Sequence, residues 1–181
     1  MLKKYVLLDR DGVINHDSDA FIKSPQEWQP IEGSLEAIAQ LNAQGFRVVV
    51  ISNQSGLARG LFDEATLERI HEKMYASVRE KGGDIEAIYI CPHHARDLCE
   101  CRKPKAGLLR QFALDKQVDL TQTVFIGDSL RDIEAAQCVG ATPILVKTGK
   151  GQQTLRDNPQ LSTSLFIFEN LHDAAHYLIT R

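Results

Sequence analysis

The sequence predicts an α/β fold, a doubly wound parallel sheet with helices on both faces, and three observations carry that expectation. First, apolar, β-branched runs such as Tyr5–Leu8, Phe46–Ile51 and Thr123–Ile126 are too short for helices and read as strands buried on both faces. Second, they alternate with segments of helical periodicity, the pattern that right-handed crossovers turn into a parallel sheet. Third, polar clusters close the strands: Asp9-Arg10-Asp11-Gly12, Ser52-Asn53-Gln54-Ser55-Gly56 and Gly127-Asp128-Ser129. Ligands bind at the carboxyl ends of strands in such sheets, so these clusters are expected to form one site.

Taken in order, the first strand opens into Val13 to Glu32, a segment with little apolar periodicity that contains Pro25 and Pro30. A loop of that length in a compact domain is usually functional. It is expected to form a flap over Asp9, anchored by Phe21, Trp28 and Ile31. Leu35, Ile38, Ala39 and Leu41 recur at helical spacing before Gly45, predicting a helix over Ser34–Gln44. Phe46–Ile51 is the second strand. Asp63 can cap a helix over Glu64–Lys81 whose apolar face is Leu67, Ile70, Met74 and Val78; His71 lies one position off that face and reads as structural. Ile85–Ile90 is a third strand, Gly107–Gln117 a helix, Thr123–Ile126 a fourth strand, Leu130–Val139 a helix with Cys138 as a core thiol, and Pro143–Val146 a fifth strand. Gln152 to Ser164 is expected to be irregular and mobile. Leu165–Phe168 is a last short strand, and Asn170 can cap a helix over Leu171–Ile179.

A chain of 181 residues with 43% hydrophobic residues suits one domain, residues 1–181. A net charge of -3 gives no general attraction to nucleic acid. No stretch could span a bilayer, and acids follow the first apolar run where a signal peptide would continue it. A cytoplasmic, monomeric enzyme of a small solute is the expectation, with no nucleic-acid or membrane partner.

Asp9 and Asp11 at one strand end concentrate negative charge, at a cost of roughly 4 kcal/mol for a close pair at an effective dielectric of about 20. A divalent cation removes that cost. Magnesium prefers hard oxygen ligands, so Asp9 and Asp128 are the expected side-chain ligands, joined by the backbone carbonyl of Asp11. Asp9 can then serve as a carboxylate nucleophile toward phosphorus, and Asp11 as general acid and base. Ser52 and Lys103 would stabilise the transferred phosphoryl group. A second metal is expected in the run from Cys91 to Pro104. Cys91, His93, Cys99 and Cys101 offer a closed tetrahedral set for structural zinc, with His94 as the alternative to His93. Ordering an irregular loop costs about 1–2 kcal/mol per residue, and structural zinc returns roughly 10–16 kcal/mol.

These motifs, DRDGV, a strand ending in Ser52, Lys103 before the third helix and GDSLRD, in that order, resemble those of the haloacid dehalogenase (HAD) superfamily of phosphotransferases. The resemblance runs from about Tyr5 to Lys150. It implies a HAD-like Rossmannoid sheet without a large cap domain, shielded by the flap and a zinc-binding loop, and it gives Asp132 a supporting role beside Asp128. CPHH, CECRKP, SNQSGLARG and DRDGVIN are similar to the capless, zinc-containing branch that comprises heptose-bisphosphate and histidinol-phosphate phosphatases. That likeness implies a magnesium-dependent phosphatase of a sugar bisphosphate, working through a phosphoaspartate and supplying ADP-heptose for lipopolysaccharide. It also implies substrate contacts from Arg10, Asp17, Ser18, Asp19, Ala20, Asn53, Gln54, Ser55 and Arg102. Arg59, Arg102 and Lys105 favour the bisphosphate over histidinol phosphate. The chain departs from members that carry lysine directly after the metal acid, having Ser129 there. A nucleic-acid 3'-phosphatase and a phosphoaspartyl receiver module are the other readings. The acidic balance speaks against the first, and Asp11 and the cysteine loop against the second.

Overall fold

A computed structural model describes residues 4–181; the first three residues of the expected 1–181 domain lie outside the described residues. Strands and helices alternate: β1 (Lys4–Leu8), α1 (Ser34–Ala43), β2 (Phe46–Asn53), α2 (Glu64–Glu80), β3 (Ala87–Cys91), α3 (Gly107–Lys116), β4 (Val124–Gly127), α4 (Leu130–Cys138), β5 (Thr142–Val146), α5 (Gly151–Asp157), β6 (Phe166–Phe168) and α6 (Leu171–Ile179). The strands form one parallel sheet in the order β3-β2-β1-β4-β5-β6. β1 is therefore central. Leu8 is in register with Val50 on one side and Ile126 on the other, and the chain leaves β1 in opposite directions across the sheet. That reversal is the switch point where parallel sheets open a crevice at their carboxyl edge.

The period of two along each strand divides the core into two layers. Val6, Leu8, Val48, Val50 and Ile126 face Ile38, Leu41, Ile70, Met74 and Ala174 of α1, α2 and α6. Tyr5, Leu7, Val49, Ile51 and Phe125 face Leu109, Phe112, Ala135 and Ala136 of α3 and α4. Both faces are covered, which explains why the strands read as unbroken apolar runs. Asp63 Oδ1 accepts from Thr66 N at 2.8 Å and Asn170 Oδ1 from Asp173 N at 2.9 Å, so both expected caps form. Among the described residues no helix is long and apolar enough to cross a membrane.

Four local readings need correction. Gln152 to Ser164 is mostly helical, with α5 followed by a 3-10 turn at Pro159–Thr163. Its outward residues are polar, so the helical period is hidden, and its anchor is polar as well: buried Thr154 donates from Oγ1 to Asp128 O at 2.9 Å. Phe21 is not a core anchor. Its φ of 66° turns the chain so that Ile22 fills the core beside Trp28 and Ile31, while the Phe21 ring stays at the cavity under Arg59. Cys138 is exposed on the outer side of α4, beside Arg110, because Ala135 and Ala136 take the inward positions. The third strand starts at Ala87, with Ile85 buried ahead of it. The flap is held to α2 by Lys73, whose Nζ donates to Pro25 O at 2.7 Å and Trp28 O at 2.8 Å.

Candidate active site

The carboxyl ends of β1, β2 and β4 floor a cavity of about 250 Å³ lined by Asp9, Asp11, Asn53, Lys103, Asp128 and Asp132 among others. Lys103, only 2% exposed, is the cation at its base. Its Nζ lies 3.1 Å from Asp9 Oδ1 and 2.7 Å from Asp132 Oδ1, and donates to Ile51 O at 2.8 Å. The contact to Asp132 is a close ion pair set off the direction of a hydrogen bond. Asn53 holds the lysine's backbone at both ends, accepting from Lys103 N at 3.0 Å and donating to Lys103 O at 3.1 Å. Burial works against the lysine's charge, but Asp132 and Asp9 outweigh it and raise its pKa.

One cation does not balance these acids. Burial, and next the Asp132 charge, push the Asp9 carboxyl well above its usual range and bring Asp128 up to about 7. Asp132 is already engaged, its Oδ2 accepting from Asp128 N, Ser129 N and Ser129 Oγ, so it fixes the start of α4. Asp9, Asp128 and Asp132 can each present a carboxylate oxygen within 4.8 Å of the others. Asp128 lies in a cradle that only glycine permits: a Cβ on Gly12 would come 2.0 Å from Asp128 Oδ2, and one on Gly149 would come 2.2 Å from it. Both glycines have positive φ, 85° and 56°, so side chains there are strained as well as obstructed. The Lys150 backbone N–H fixes the same oxygen at 2.8 Å. Hard oxygen donors, excess negative charge and a carboxylate held by its surroundings fit a magnesium ion.

Asp11 is held differently. Arg10 grips its carboxylate through Nε at 2.9 Å and Nη2 at 3.2 Å, while Asn15 Nδ2 and Gln54 Nε2 donate at 2.9 and 3.1 Å. Burial alone would raise the Asp11 pKa; the Arg10 charge and these hydrogen bonds lower it. Two carboxylates separated by a single residue are thus driven apart.

The cysteine loop folds against the end of β3. Sγ of Cys101 lies 3.2 Å from that of Cys91 and 3.5 Å from that of Cys99, Cys91 and Cys99 are 3.6 Å apart, and His93 Nδ1 is 3.2 Å from Cys101 Sγ. Tetrahedral zinc with Zn–S near 2.3 Å needs sulfur edges of about 3.8 Å, so the cluster is close to the required size. His94 turns away: its Nδ1 caps the 3-10 turn at Ala95–Asp97 by accepting from Arg96 N. Burial pushes the Cys91 thiol up to about 12. Burial also opposes the Cys99 thiolate, yet hydrogen bonds, first from the Arg102 backbone, bring it down to about 7.

Above the floor the cavity changes sign. Arg59, Arg102 and Arg131 line it, and the arginine ion pairs of the described residues are those of Arg10, Arg47 and Arg79. Burial, then the charge of Arg131, lowers the Arg102 pKa, as expected of unpaired guanidinium groups crowded together. Asp17 and Asp19 of the flap reach Lys150 Nζ, each at 3.5 Å, and Ser18, Gln54 and Ser55 also line the cavity.

Three expected site residues sit elsewhere. Arg10 is wholly buried behind Asp11, Ser52 is buried with its Oγ accepting from Gln54 Nε2, and Ala20 does not line the cavity. Arg131 and Lys150 line it without having been singled out. Each follows a strand end by a few residues, and only Asp128-Ser129 and the Gly149 turn pointed to that rim.

A family model described as HAD-hydrolase-like matches residues 100–174. The D-glycero-β-D-manno-heptose-1,7-bisphosphate 7-phosphatase of Pseudomonas putida is 51% identical over 176 residues, covering 97% of this chain and 99% of that protein. The enzyme of the same name from Pseudomonas aeruginosa is 48% identical over 179 residues, covering 99% of each. The crystal structure of the D,D-heptose 1,7-bisphosphate phosphatase of Bordetella bronchiseptica, complexed with magnesium and phosphate, superposes with a TM-score of 0.94 at 48% identity and 98% coverage of both chains.

Proposed function

Because this chain belongs to the D-glycero-β-D-manno-heptose-1,7-bisphosphate 7-phosphatase family, we propose that it hydrolyses the 7-phosphate of that sugar bisphosphate through a phosphoaspartate on Asp9. The observation that carries the chemistry is the placement of Asp9 beside Lys103 and Asp128 on the floor of a cavity with a basic rim. Asp9, Asp128 and the Asp11 carbonyl hold magnesium, which supplies charge compensation for the phosphoryl oxygens when bound. Cys91, His93, Cys99 and Cys101 hold zinc, and the loop so fixed carries Arg102 and Lys103 directly after its last ligand.

Lys103 orients the 7-phosphoryl group against Asp9. An Asp9 oxygen forms a bond to phosphorus as the bond from phosphorus to the sugar oxygen breaks, and the departing oxygen takes the electron pair and a proton from Asp11. Asp11 is an anion in the free protein and takes up that proton as the negatively charged ester enters. In the second half Asp11 removes a proton from water, the water oxygen bonds to phosphorus, and the acyl-phosphate bond breaks to restore the Asp9 carboxylate. Asn53, Gln54, Ser55 and the flap residues Asp17 to Asp19 contact the sugar, while Arg102 attracts its other end. The reaction takes place in a cytoplasmic, single-domain monomer.

Phosphate release with magnesium, compared among both anomers of heptose 1,7-bisphosphate, histidinol phosphate and a 3'-phosphorylated oligonucleotide, tests the substrate. The β anomer should lead by about a hundredfold in kcat/KM, roughly 2.7 kcal/mol of transition-state binding. Preference for histidinol phosphate would overturn the assignment.

A further inference from the structure

We infer that His71 is a positioning residue for proton transfer at Asp11, acting through Arg10. The inference rests on the reading of Asp11 as the acid and base. Arg10 is wholly buried, and a buried guanidinium is tolerated only when its donors are met. One edge of its fork takes Asp11, Nη2 also reaches Gln54 Oε1 at 3.3 Å, and Nη1 lies 3.2 Å from His71 Nε2. Guanidinium nitrogens only donate, so His71 Nε2 is the acceptor and the ring proton sits on Nδ1. Burial, and then the Arg10 charge, bring the His71 pKa to about 4, which keeps that acceptor neutral and available.

The geometry explains why a helix residue bears on the chemistry. His71 comes from α2, where Ile70 and Met74 enter the core, and it does not line the cavity. Asp11 and His71 hold Arg10 from two directions, which fixes the plane of the fork and with it the plane of the Asp11 carboxylate. That carboxylate keeps 23% of its side chain exposed, on the cavity side. Gln54 extends the frame, donating to both Asp11 Oδ2 and Ser52 Oγ. Without His71 the Nη1 nitrogen of Arg10 loses its partner, the fork can rotate, and Asp11 loses its aim while Asp9, Lys103 and Asp128 keep theirs.

Leaving-group dependence separates this role from a purely structural one. A sugar alkoxide needs a proton on departure; a nitrophenolate does not. The quantity to compare is kcat/KM, which reports the first half-reaction alone. In His71→Leu, kcat/KM for the heptose bisphosphate should fall at least about tenfold and that for p-nitrophenyl phosphate less than about twofold, part of the range general acid catalysis supplies. His71→Gln, whose side-chain oxygen can accept from Arg10, should restore the alkyl ester to within about threefold. If His71→Leu does not fold, His71→Asn, whose acceptor is too short to reach Nη1, should show the same selective loss. Equal losses on both esters, no loss on either, or failure of His71→Gln to restore would each overturn the inference. The same ratio with β-glycerophosphate as the alkyl ester tests His71 even if wild-type protein leaves the heptose bisphosphate intact, an outcome that would instead refute the proposed substrate.

Discussion

The floor of the cavity and the cysteine loop on its rim are built by different forces. The floor is an extension of the sheet. Asp9, Ser52 and Asp128 stand at or just beyond the ends of strands that pair through apolar residues there, Leu7 with Val49 and Phe125 and Leu8 with Val50 and Ile126, and backbone bonds such as Asp9 N to Ile126 O at 3.0 Å aim the chain before any ligand arrives. The loop from Pro92 to Lys105 has no strand beneath it: Leu98 is 80% exposed, and the loop's fixed points include the sulfur and imidazole cluster, where Cys99 and Cys101 touch the core, and the two Asn53 bonds to Lys103. The floor is held in place by packing, and the loop by the cluster that Cys91, His93, Cys99 and Cys101 form. Lys103 belongs to both regions, leaving the cysteine loop to reach the buried acids.

The sharpest way to divide the two regions is to disable the floor without touching the loop. Asp9→Asn should abolish turnover, a loss above about ten-thousandfold when a covalent nucleophile is removed. The thermal midpoint should stay near that of the parent, because burial already disfavours the Asp9 charge. Calorimetry beside the assay checks both. Next in size, a thiol-selective chelator should strip the loop and lower both the midpoint and kcat, by about a hundredfold if Lys103 is released, whereas removing magnesium alone should stop turnover with little change in midpoint. Metal analysis by mass spectrometry assigns each ion to its step.

Smaller effects test the acid cradle. Gly149→Ala places a methyl in collision with Asp128 Oδ2, so half-maximal activity should require at least about tenfold more magnesium, about 1.4 kcal/mol of lost affinity. The smallest effect is on stability against pH in protein with a loaded cysteine loop but no magnesium. Asp9 and Asp128 have raised pKa values when folded, so the native state holds protons that the unfolded chain has already lost. Their contribution to stability is full below the unfolded carboxylate pKa and falls as pH rises through the folded values, which for Asp128 is about 7. His71, lowered to about 4, works in the opposite sense but only below its unfolded value near 6.5. Between about pH 6.5 and 8 the midpoint should therefore fall, and saturating magnesium should remove the fall.

The same contrast explains what was legible in the sequence. Strand-end residues could be read because buried parallel strands leave an unbroken apolar signature and stop at their polar residue, which fixed Asp9, Asp128 and the β2 terminus. The cysteine loop could be read from the rarity of three thiols and an imidazole so close together, although the choice between His93 and His94 depended on which ring turns inward. Residues acting through others left little trace. Arg10 has the composition of a substrate ligand, yet it points into the protein because Asp11, Gln54 and His71 meet it there. His71 is one position off an apolar stripe, where a structural histidine is equally at home. The helix α5 was hidden because its anchor, Thr154, is polar.

The most direct test of the account is to stop a single turnover with acid and map the phosphoryl group by peptide mass spectrometry. The account predicts one acid-stable phosphoryl group on Asp9 in the parent protein and none in Asp9→Asn. Phosphate release with Asp9 unlabelled throughout, or a label on another residue, would contradict it.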